Sequence, residues 1–320
     1  MWRINFRRLL GLSLIVGGLL QVSSTSAQAL DWPKKLSVGD KGREVTQLQM
    51  RVAGWYPVRH KRRFGIDGSY GKQTTAAVER FEDHFGIKNP NGTAGGQTFE
   101  VFERLVDGDG STKHFDWAEF RQHSSSGCSA QANAYAGTFN GGKVSPNRTR
   151  RNVQRLMWRL EALRAKAGAK PIGINSGFRS VAYNSCIGGA GASQHQYGTA
   201  ADNRVAGITN RKARKIARGS QFYGISCYSN TSHNHLDLRL ENSALPSAQV
   251  WWWPQKDSLG RELDETGRPC FGEIAGSAAA TASLGAVRSA TPGVGSLVPT
   301  TAEVRAFEEA GEPAELGGSD

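Results

Sequence analysis

Two short stretches rich in histidine and aspartate decide how the rest of the chain is interpreted. The first is Ser193-Gln-His-Gln-Tyr-Gly-Thr-Ala-Ala-Asp202, and the second is Ser232-His-Asn-His-Leu-Asp237. The chain has seven histidines, and three of them fall in these stretches. Such nitrogen and oxygen donors suit zinc and leave one or two groups for proton transfer.

The spacing fits a catalytic zinc site, which needs three protein ligands and an open position for water. His195 and Asp202 are separated by Gly198 and small residues, so a tight loop lets both side chains converge. The alternative places them one above the other on a helix, which the glycine and threonine between them disfavour. His233 and His235 face the same side of a strand, so one can bind metal while the other sits beside the bound water.

Upstream, the stretch Ile172-Gly-Ile-Asn-Ser-Gly-Phe-Arg-Ser180 alternates apolar residues and then runs into Ser-Gly. This pattern predicts a strand that ends in a turn. Arg179 at that turn can clamp a carboxylate with its planar guanidinium, the alternative being an ordinary surface arginine.

Together these motifs resemble the zinc D-alanyl-D-alanine carboxypeptidases, which belong to a broader group of metallopeptidases that includes lysostaphin and the hedgehog signalling domain. The resemblance covers roughly Phe115 to Pro254. It rests on five motifs in order: Ser176-Gly-Phe-Arg-Ser180, Tyr183-Asn184, Gly188-Gly-Ala190, Ser193-x-His195-x-x-Gly198-x-Ala200-x-Asp202, and His233-x-His235. It implies one catalytic zinc ion with three ligands: His195, Asp202 and His235.

The resemblance also implies roles for the residues around the zinc. Arg179 would hold the terminal carboxylate of the substrate, together with Ser193 as a substrate-binding residue, and His233 would be the catalytic histidine. Secreted members often carry an acidic general base three positions before the last ligand, where this chain has Ser232. Either His233 or Asp237 then acts as the base, or the domain is a non-catalytic zinc protein that binds the cell wall.

Residues 1–29 have the composition of a signal peptide. Arg3, Arg7 and Arg8 precede an apolar run from Leu9 to Leu20, and a small-x-small site ends at Ala29. We expect cleavage near Ala29, with retention as a membrane anchor as the alternative. The mature protein is then secreted or periplasmic, associated with the cell wall and without stable membrane insertion.

Residues 30–106 predict a small domain with three helices, at Val45–Ala53, Thr74–Phe85 and Thr98–Leu105. The simplest interpretation is a three-helix bundle with no specific function. The pattern Gly39-x-x-Gly42-x-x-Val45-x-x-Leu48-Gln49, followed by Asp67-Gly-x-Tyr-Gly71-x-x-Thr74-x-x-Ala77-Val78-x-x-Phe81, resembles the peptidoglycan-binding domain found beside wall hydrolases. The resemblance implies peptidoglycan as the partner.

A linker at residues 107–113 leads to a catalytic domain at residues 114–272, and the fold class of the whole is α+β with a central antiparallel sheet. The segment Arg150 to Ala167 predicts an amphipathic core helix with arginines on its outer face. The site strands follow at Pro171–Ser176, near Ala200–Val205 and at His233–Arg239.

Four cysteines, Cys128, Cys186, Cys227 and Cys270, predict two disulfides in an exported chain. Three pairings are possible, and we favour Cys186–Cys227, which would join the site segments, with Cys128–Cys270. A cysteine metal site is the weaker alternative because no C-x-x-C spacing occurs.

Residues 273–320 are rich in Ala, Thr, Ser, Gly and Pro, which predicts a disordered tail. The net charge of +12 indicates an acidic partner, and for an exported chain the anionic wall is favoured over nucleic acid. A secreted DNA-binding protein would rest on this charge alone, since no base-reading motif occurs.

We therefore expect a monomeric, exported zinc metallopeptidase that hydrolyses peptidoglycan stem peptides, most simply as a D-Ala-D-Ala carboxypeptidase. The alternatives are a D,D- or L,D-endopeptidase, or the non-catalytic wall-binding protein.

Overall fold

The structure, a computed structural model, describes residues 31–57, 63–121, 127–227, 233–241, 255–256, 262–263 and 270. The expected signal peptide, Ser232 and the expected C-terminal tail lie outside these ranges. Within the described ranges, no helix combines the length and the apolar character needed to cross a bilayer.

The N-terminal domain is a three-helix unit, as the sequence predicts. Its elements in chain order are β1 (Lys35–Leu36), α1 (Arg43–Val52), α2 (Lys72–His84), β2 (Ala94–Gly95) and α3 (Gly96–Arg104). The strands β1 and β2 pair antiparallel and close the unit. Apolar side chains from the three helices meet in one buried core, among them Val45, Phe81 and Phe102.

A buried glutamine links α1 to the turn that precedes α2. The Gln49 side chain donates to Asp67 Oδ1 (2.9 Å) and to the carbonyl of Ser69 (3.0 Å), and it accepts from the amide of Gly68 (2.9 Å). The φ of Gly68 is 75°, a backbone conformation that favours glycine. These contacts give a physical reason for the spacing between the Gln49 motif and the Asp67-Gly68 motif.

The segment expected to be a linker, residues 107–113, is packed against the domain that follows. Ser111 and Thr112 are buried, and Thr112 forms isolated β-bridges with Val106 and Phe115. The two domains are thus joined by a folded turn.

The C-terminal domain has mixed helix and sheet, which confirms the α+β fold class. Its elements in chain order are α4 (Ser129–Asn133), α5 (Pro146–Lys166), β3 (Ile172–Ser176), α6 (Val181–Cys186), β4 (Ala200–Val205), α7 (Asn210–Arg218), β5 (Gly224–Ile225), β6 (Asn234–Asp237), β7 (Gln255–Lys256) and β8 (Glu262–Leu263). Four strands form the central sheet in the order β3-β4-β6-β5, with every neighbouring pair antiparallel. β7 and β8 pair separately.

Helix α5 contributes to the cores of both domains. The apolar stripe predicted from sequence is buried in the C-terminal core: Val153, Leu156, Met157, Leu160 and Leu163. Ala162, on another side of α5, belongs to the N-terminal core, and a Cβ added at Gly54 would lie 2.5 Å from the Ala162 Cβ. Arg159 is only 3% exposed, although the sequence predicted solvated arginines on this helix.

Polar contacts reinforce the junction of the two domains. Lys166 Nζ donates to the carbonyl of Gly54 (2.7 Å), and Gln221 Nε2 donates to the carbonyl of Tyr56 (2.9 Å). Both apolar packing and polar contacts therefore hold the two domains together.

The disulfides correct the pairing favoured from sequence. The structure pairs Cys128 with Cys186 and Cys227 with Cys270, so Cys186–Cys227 and Cys128–Cys270 are wrong. Position in the fold explains the difference, since Cys128 immediately precedes α4, which packs against the Cys186 helix, α6. The bridges fasten two different edges of the domain instead of joining the site segments to each other.

Candidate metal centre

Three side chains of the two histidine- and aspartate-rich stretches converge at the central sheet. His195 lies in a short 3-10 helix, Gln194–Tyr197, which ends at Gly198 with a φ of 70°. A Cβ at Gly198 would lie 2.9 Å from the Thr149 carbonyl oxygen, so glycine both permits this turn and fits against α5. The chain then enters β4 and reaches Asp202.

Sheet register places the other two ligand candidates side by side. Ser176 on β3, Asp202 on β4 and His235 on β6 are cross-strand partners in one row. The side chains of such partners lie on the same face of a sheet. Strand pairing thus positions two of the three ligand candidates, and the segment before β4 supplies the third, His195.

The ligand atoms form a compact triangle. His195 Nε2 lies 3.1 Å from His235 Nδ1 and 3.3 Å from Asp202 Oδ1, and His235 Nδ1 lies 3.0 Å from the same oxygen. In the part of the chain that the structure describes, these three residues form the one cluster suited to a metal ion.

The outer nitrogen of each histidine ring has its own acceptor. His195 Nδ1 is 2.6 Å from the carbonyl oxygen of Gly177, and His235 Nε2 is 3.1 Å from Asp237 Oδ2. These acceptors hold a proton on each outer nitrogen and direct the lone pair of the inner nitrogen toward the triangle. Two lone pairs and a carboxylate oxygen therefore converge, an arrangement that a bound cation stabilises.

The electrostatics of the metal-free site agree with this assignment. Burial lowers the pKa of His195, which keeps that ring neutral. Burial opposes ionisation of Asp202, but His195 and His235 outweigh it and hold the pKa of the carboxyl well below its usual range. Burial also disfavours the charged form of His235, yet its hydrogen bonds to Asp202 and Asp237 raise its pKa to about 9. Without metal, a proton on His235 partly neutralises the two carboxylates.

Arg179 lies on the other side of the Asp202 carboxylate. Its Nη2 donates to Asp202 Oδ2 at 2.5 Å, and its Nε donates to Ser176 Oγ at 2.8 Å. The backbone amide of Arg179 also donates to the carbonyl of His195 at 3.1 Å. The β3 turn therefore positions Arg179 directly beside the ligand triangle.

Asp237 is fully buried behind His235. Besides His235 Nε2, its carboxylate accepts from the amide of Arg239 (3.1 Å) and from Arg239 Nη2 (3.2 Å). Its cross-strand partner on β5 is Gly224, where an added Cβ would overlap the Asp237 carboxylate. The sheet leaves room for this carboxylate because position 224 has no side chain.

The geometry agrees with comparisons to known proteins. Residues 113–237 match the peptidase M15 family, and residues 41–102 match the family of peptidoglycan binding domains. The chain therefore carries a peptidase M15 domain. The metal centre lies within this domain, and its His-Asp-His donor set fits zinc.

A curated relative matches more than half of the chain. The zinc D-Ala-D-Ala carboxypeptidase of Streptomyces albus G is 41% identical over 184 residues, which cover 56% of this chain and 66% of the relative, slightly less than two-thirds of its length. A solved structure titled "The crystal structure of SleB N-terminal domain" is 28% identical and covers 22% of this chain and 88% of its own, with a TM-score of 0.18. That TM-score is too low for a structural comparison.

Two further residues named from the sequence lie two positions before a ligand candidate of the M15 domain. Ser193 is partly buried and immediately precedes the 3-10 helix that carries His195. His233 is partly buried and lies just before β6, outside the ligand triangle among the described residues. The catalytic assignment of His233 and the substrate-binding assignment of Ser193 stay predictions.

Sequence reasoning missed the supporting residues of the M15 metal centre. The Gly177 carbonyl holds His195, Ser176 Oγ holds Arg179, and Gly224 leaves room for Asp237. Ser176 and Gly177 belong to a motif quoted from the sequence, but the motif did not indicate these roles. Their positions follow from strand register, which only the folded sheet reveals.

Proposed function

We propose that this chain is a zinc D-alanyl-D-alanine carboxypeptidase that acts on peptidoglycan stem peptides. The observation that carries the proposal is that Arg179 donates a hydrogen bond to Asp202, which is a member of the ligand triangle. A carboxypeptidase must recognise a terminal carboxylate next to the bond it cleaves, and a guanidinium is well suited to that task. The name of the Streptomyces relative and the peptidoglycan-binding domain match support the same substrate class.

The residues beside the metal divide the work. Zinc bound by the triangle would supply polarisation of a carbonyl group and activation of water. Asp237 and the Gly177 carbonyl fix the histidine tautomers, so that both inner nitrogens stay available as ligands. Arg179 keeps Asp202 in place through Nη2, and its Nη1 makes no hydrogen bond within the described residues, which leaves it available to a substrate carboxylate.

We assign proton transfer to His233. Asp237 has no exposed surface and already receives hydrogen bonds from His235 and Arg239, so it acts through the His235 ring. His233 is two residues before His235 in the sequence and partly buried, a placement suited to a group that exchanges protons beside the site. Ser193, at the start of the His195 helix, is the proposed second contact to substrate.

The N-terminal domain would hold the enzyme on its insoluble substrate. We propose that the protein is exported after cleavage near Ala29 and acts as a monomer in the cell wall. The N-terminal run of Arg3, Arg7 and Arg8 before an apolar stretch supports export.

The decisive experiment is mass analysis of muropeptides after incubating mature protein with isolated sacculi, with and without a chelator. Chelator-sensitive loss of a terminal alanine is the expected result. Conversion of muropeptide dimers to monomers would show instead that the protein is an endopeptidase. No product despite a full zinc content would leave a non-catalytic wall-binding protein.

Two variants connect the activity to the metal centre. His195→Ala should lose both zinc and hydrolysis, because it removes one of three ligands and the anchoring bond to Gly177. His84→Gln in the N-terminal domain changes a histidine outside the cluster and should retain both. A His195→Ala protein that still hydrolyses sacculi would overturn the proposal.

A further inference from the structure

A cavity of about 140 Å³ lies where the two domains meet, separate from the ligand triangle. The N-terminal domain contributes Arg63, Phe64 and Ile66 to its wall. The M15 domain contributes the rest of the lining: Arg155, Arg159, Gln221, Tyr223, Leu238 and Leu240. Three arginines therefore line one small space, and no acidic residue is among its described lining residues.

Two arginines of this cavity, Arg63 and Arg159, make hydrogen bonds that leave some of their donors unused. Arg63 Nη2 donates to the carbonyls of Leu238 (3.2 Å) and Arg239 (2.8 Å), and its guanidinium lies 4.6 Å from the centre of the Tyr223 ring. Arg159 donates only a long bond, 3.4 Å, to the carbonyl of Met50. The Nε atoms of Arg63 and Arg159 are buried and make no hydrogen bond within the described residues.

These groups are charged at neutral pH. Burial lowers the pKa of Arg159 to about 10, which still leaves the guanidinium protonated at pH 7. Burial also lowers the pKa of Arg63 and of Arg155, in the direction expected for cations that lack a full counter-charge. Like charges confined in a small cavity repel one another unless an anion joins them.

The nearest acids are already engaged elsewhere. Asp237 is bonded to His235 and Arg239, and Glu241 pairs with Arg148 at 2.6 Å and accepts from Asn152 at 2.8 Å. The neighbouring sequence segments 58–62 and 242–250 contain no Asp or Glu. Both carboxylates attract cavity arginines, Asp237 acting on Arg63 and Glu241 on Arg155, but neither lines the cavity.

We infer that the interdomain cavity lined by Arg63, Arg155 and Arg159 binds a phosphate-type oxyanion. Guanidinium groups bind phosphate oxygens through charge-assisted, often bidentate hydrogen bonds, and three arginines from both domains line this one cavity. Several cations can share the oxygen atoms of one phosphate group. The ligand is either a free phosphate ion or the phosphate of an anionic polymer of the wall.

The test is calorimetric titration of the zinc-loaded, full-length protein with inorganic phosphate at constant ionic strength. We expect saturable binding that Arg155→Gln weakens at least ~10-fold, because the variant removes one charge-assisted contact. Arg151→Gln is the matched control, since Arg151 is exposed on the same helix one turn earlier, and it should bind as wild type does. Arg63→Gln is a second variant from the other domain and should weaken binding in the same way.

Phosphate also has affinity for zinc, so His195→Ala separates the two sites. Binding that survives in His195→Ala and is weakened in Arg155→Gln supports the cavity. Binding that is lost in His195→Ala but unchanged in Arg155→Gln and Arg63→Gln overturns the inference, as does a complete lack of saturable binding. Dimethyl phosphate in place of inorganic phosphate distinguishes the sources, since its binding indicates a phosphodiester polymer and its exclusion indicates the free ion.

Discussion

One carboxylate, that of Asp202, serves both His235 and Arg179. Its Oδ1 lies 3.0 Å from His235 Nδ1 in the ligand triangle, while its Oδ2 accepts from Arg179 Nη2 at 2.5 Å. Any movement of Arg179 toward a substrate is therefore transmitted to a metal ligand. Under the proposed function, the arginine combines substrate recognition with the positioning of a metal ligand.

Arg179→Lys tests this double role. Lysine keeps the charge but cannot bond Ser176 and Asp202 with one planar group, so we expect a raised KM for the peptide together with zinc affinity weakened about 10-fold or more. Chelator competition measures the zinc affinity, and steady-state kinetics on a stem peptide measures KM. Arg204→Lys, at an exposed position of β4, the strand that carries Asp202, is the control and should change neither. An unchanged zinc affinity in Arg179→Lys would mean that Arg179 does not help to position the metal and acts in substrate binding alone.

Asp237→Asn should weaken zinc binding while the fold is retained. The asparagine lacks the charge that orients His235, and loss of such an outer contact typically reduces metal affinity about 10–100-fold. Gly224→Ala should have the same effect by a different route, because its methyl group would displace the Asp237 carboxylate. Gly173→Ala on the same sheet meets open space and serves as the control. Wild-type zinc affinity in both variants would contradict the proposed support of His235.

Zinc uptake should release about one proton at pH 7. In the metal-free protein the pKa of His235 is raised to about 9, so the ring is protonated below that pH and must lose a proton to bind metal. His195 is already neutral and Asp202 already ionised, so neither adds to the release. Apparent zinc affinity should therefore rise with pH and level off above about pH 9. Calorimetry in two buffers of different ionisation enthalpy measures the proton count, and a value near zero at pH 7 would refute this assignment.

Gly54→Ala should loosen the junction of the two domains. The new methyl group would meet Ala162 on α5 at 2.5 Å, and overpacking of this kind costs about 1–3 kcal/mol. We expect a lower melting temperature by scanning calorimetry. Gly108→Ala, where an added Cβ meets nothing within 4 Å, should melt near the wild-type temperature. Equal melting temperatures for the two variants would mean that the junction accommodates the added methyl group without loss of stability.

The sequence predicted the elements and residues that depend on local pattern. The buried stripe of α5 follows helical periodicity, and the ligand triangle combines a tight loop before Asp202 with the strand that carries His235. Strand and helix patterns of this kind are local, so they are readable without the fold.

What the sequence did not predict depends on long-range placement. The disulfide partner of Cys128 is decided by which helix packs beside it, and four cysteines permit three pairings in any sequence. The burial of Arg159 depends on a second domain that covers one side of α5, and helical periodicity within α5 carries no information about that domain. Gly224 matters only because β5 pairs with β6 in the register that places it opposite Asp237.

The sharing of α5 between the two cores also affects how such an enzyme moves over a wall. A catalytic domain on a flexible tether searches a volume around its anchor, and the linker length sets the local substrate concentration. Here no flexible linker separates the domains. While the N-terminal domain stays attached at one place, the metal centre can therefore reach only wall peptides at one distance and orientation from that place. Under the proposed function, further turnover on an insoluble wall requires detachment and reattachment. The off-rate of the N-terminal domain then limits the overall rate on sacculi, while hydrolysis of small soluble peptides is free of that limit.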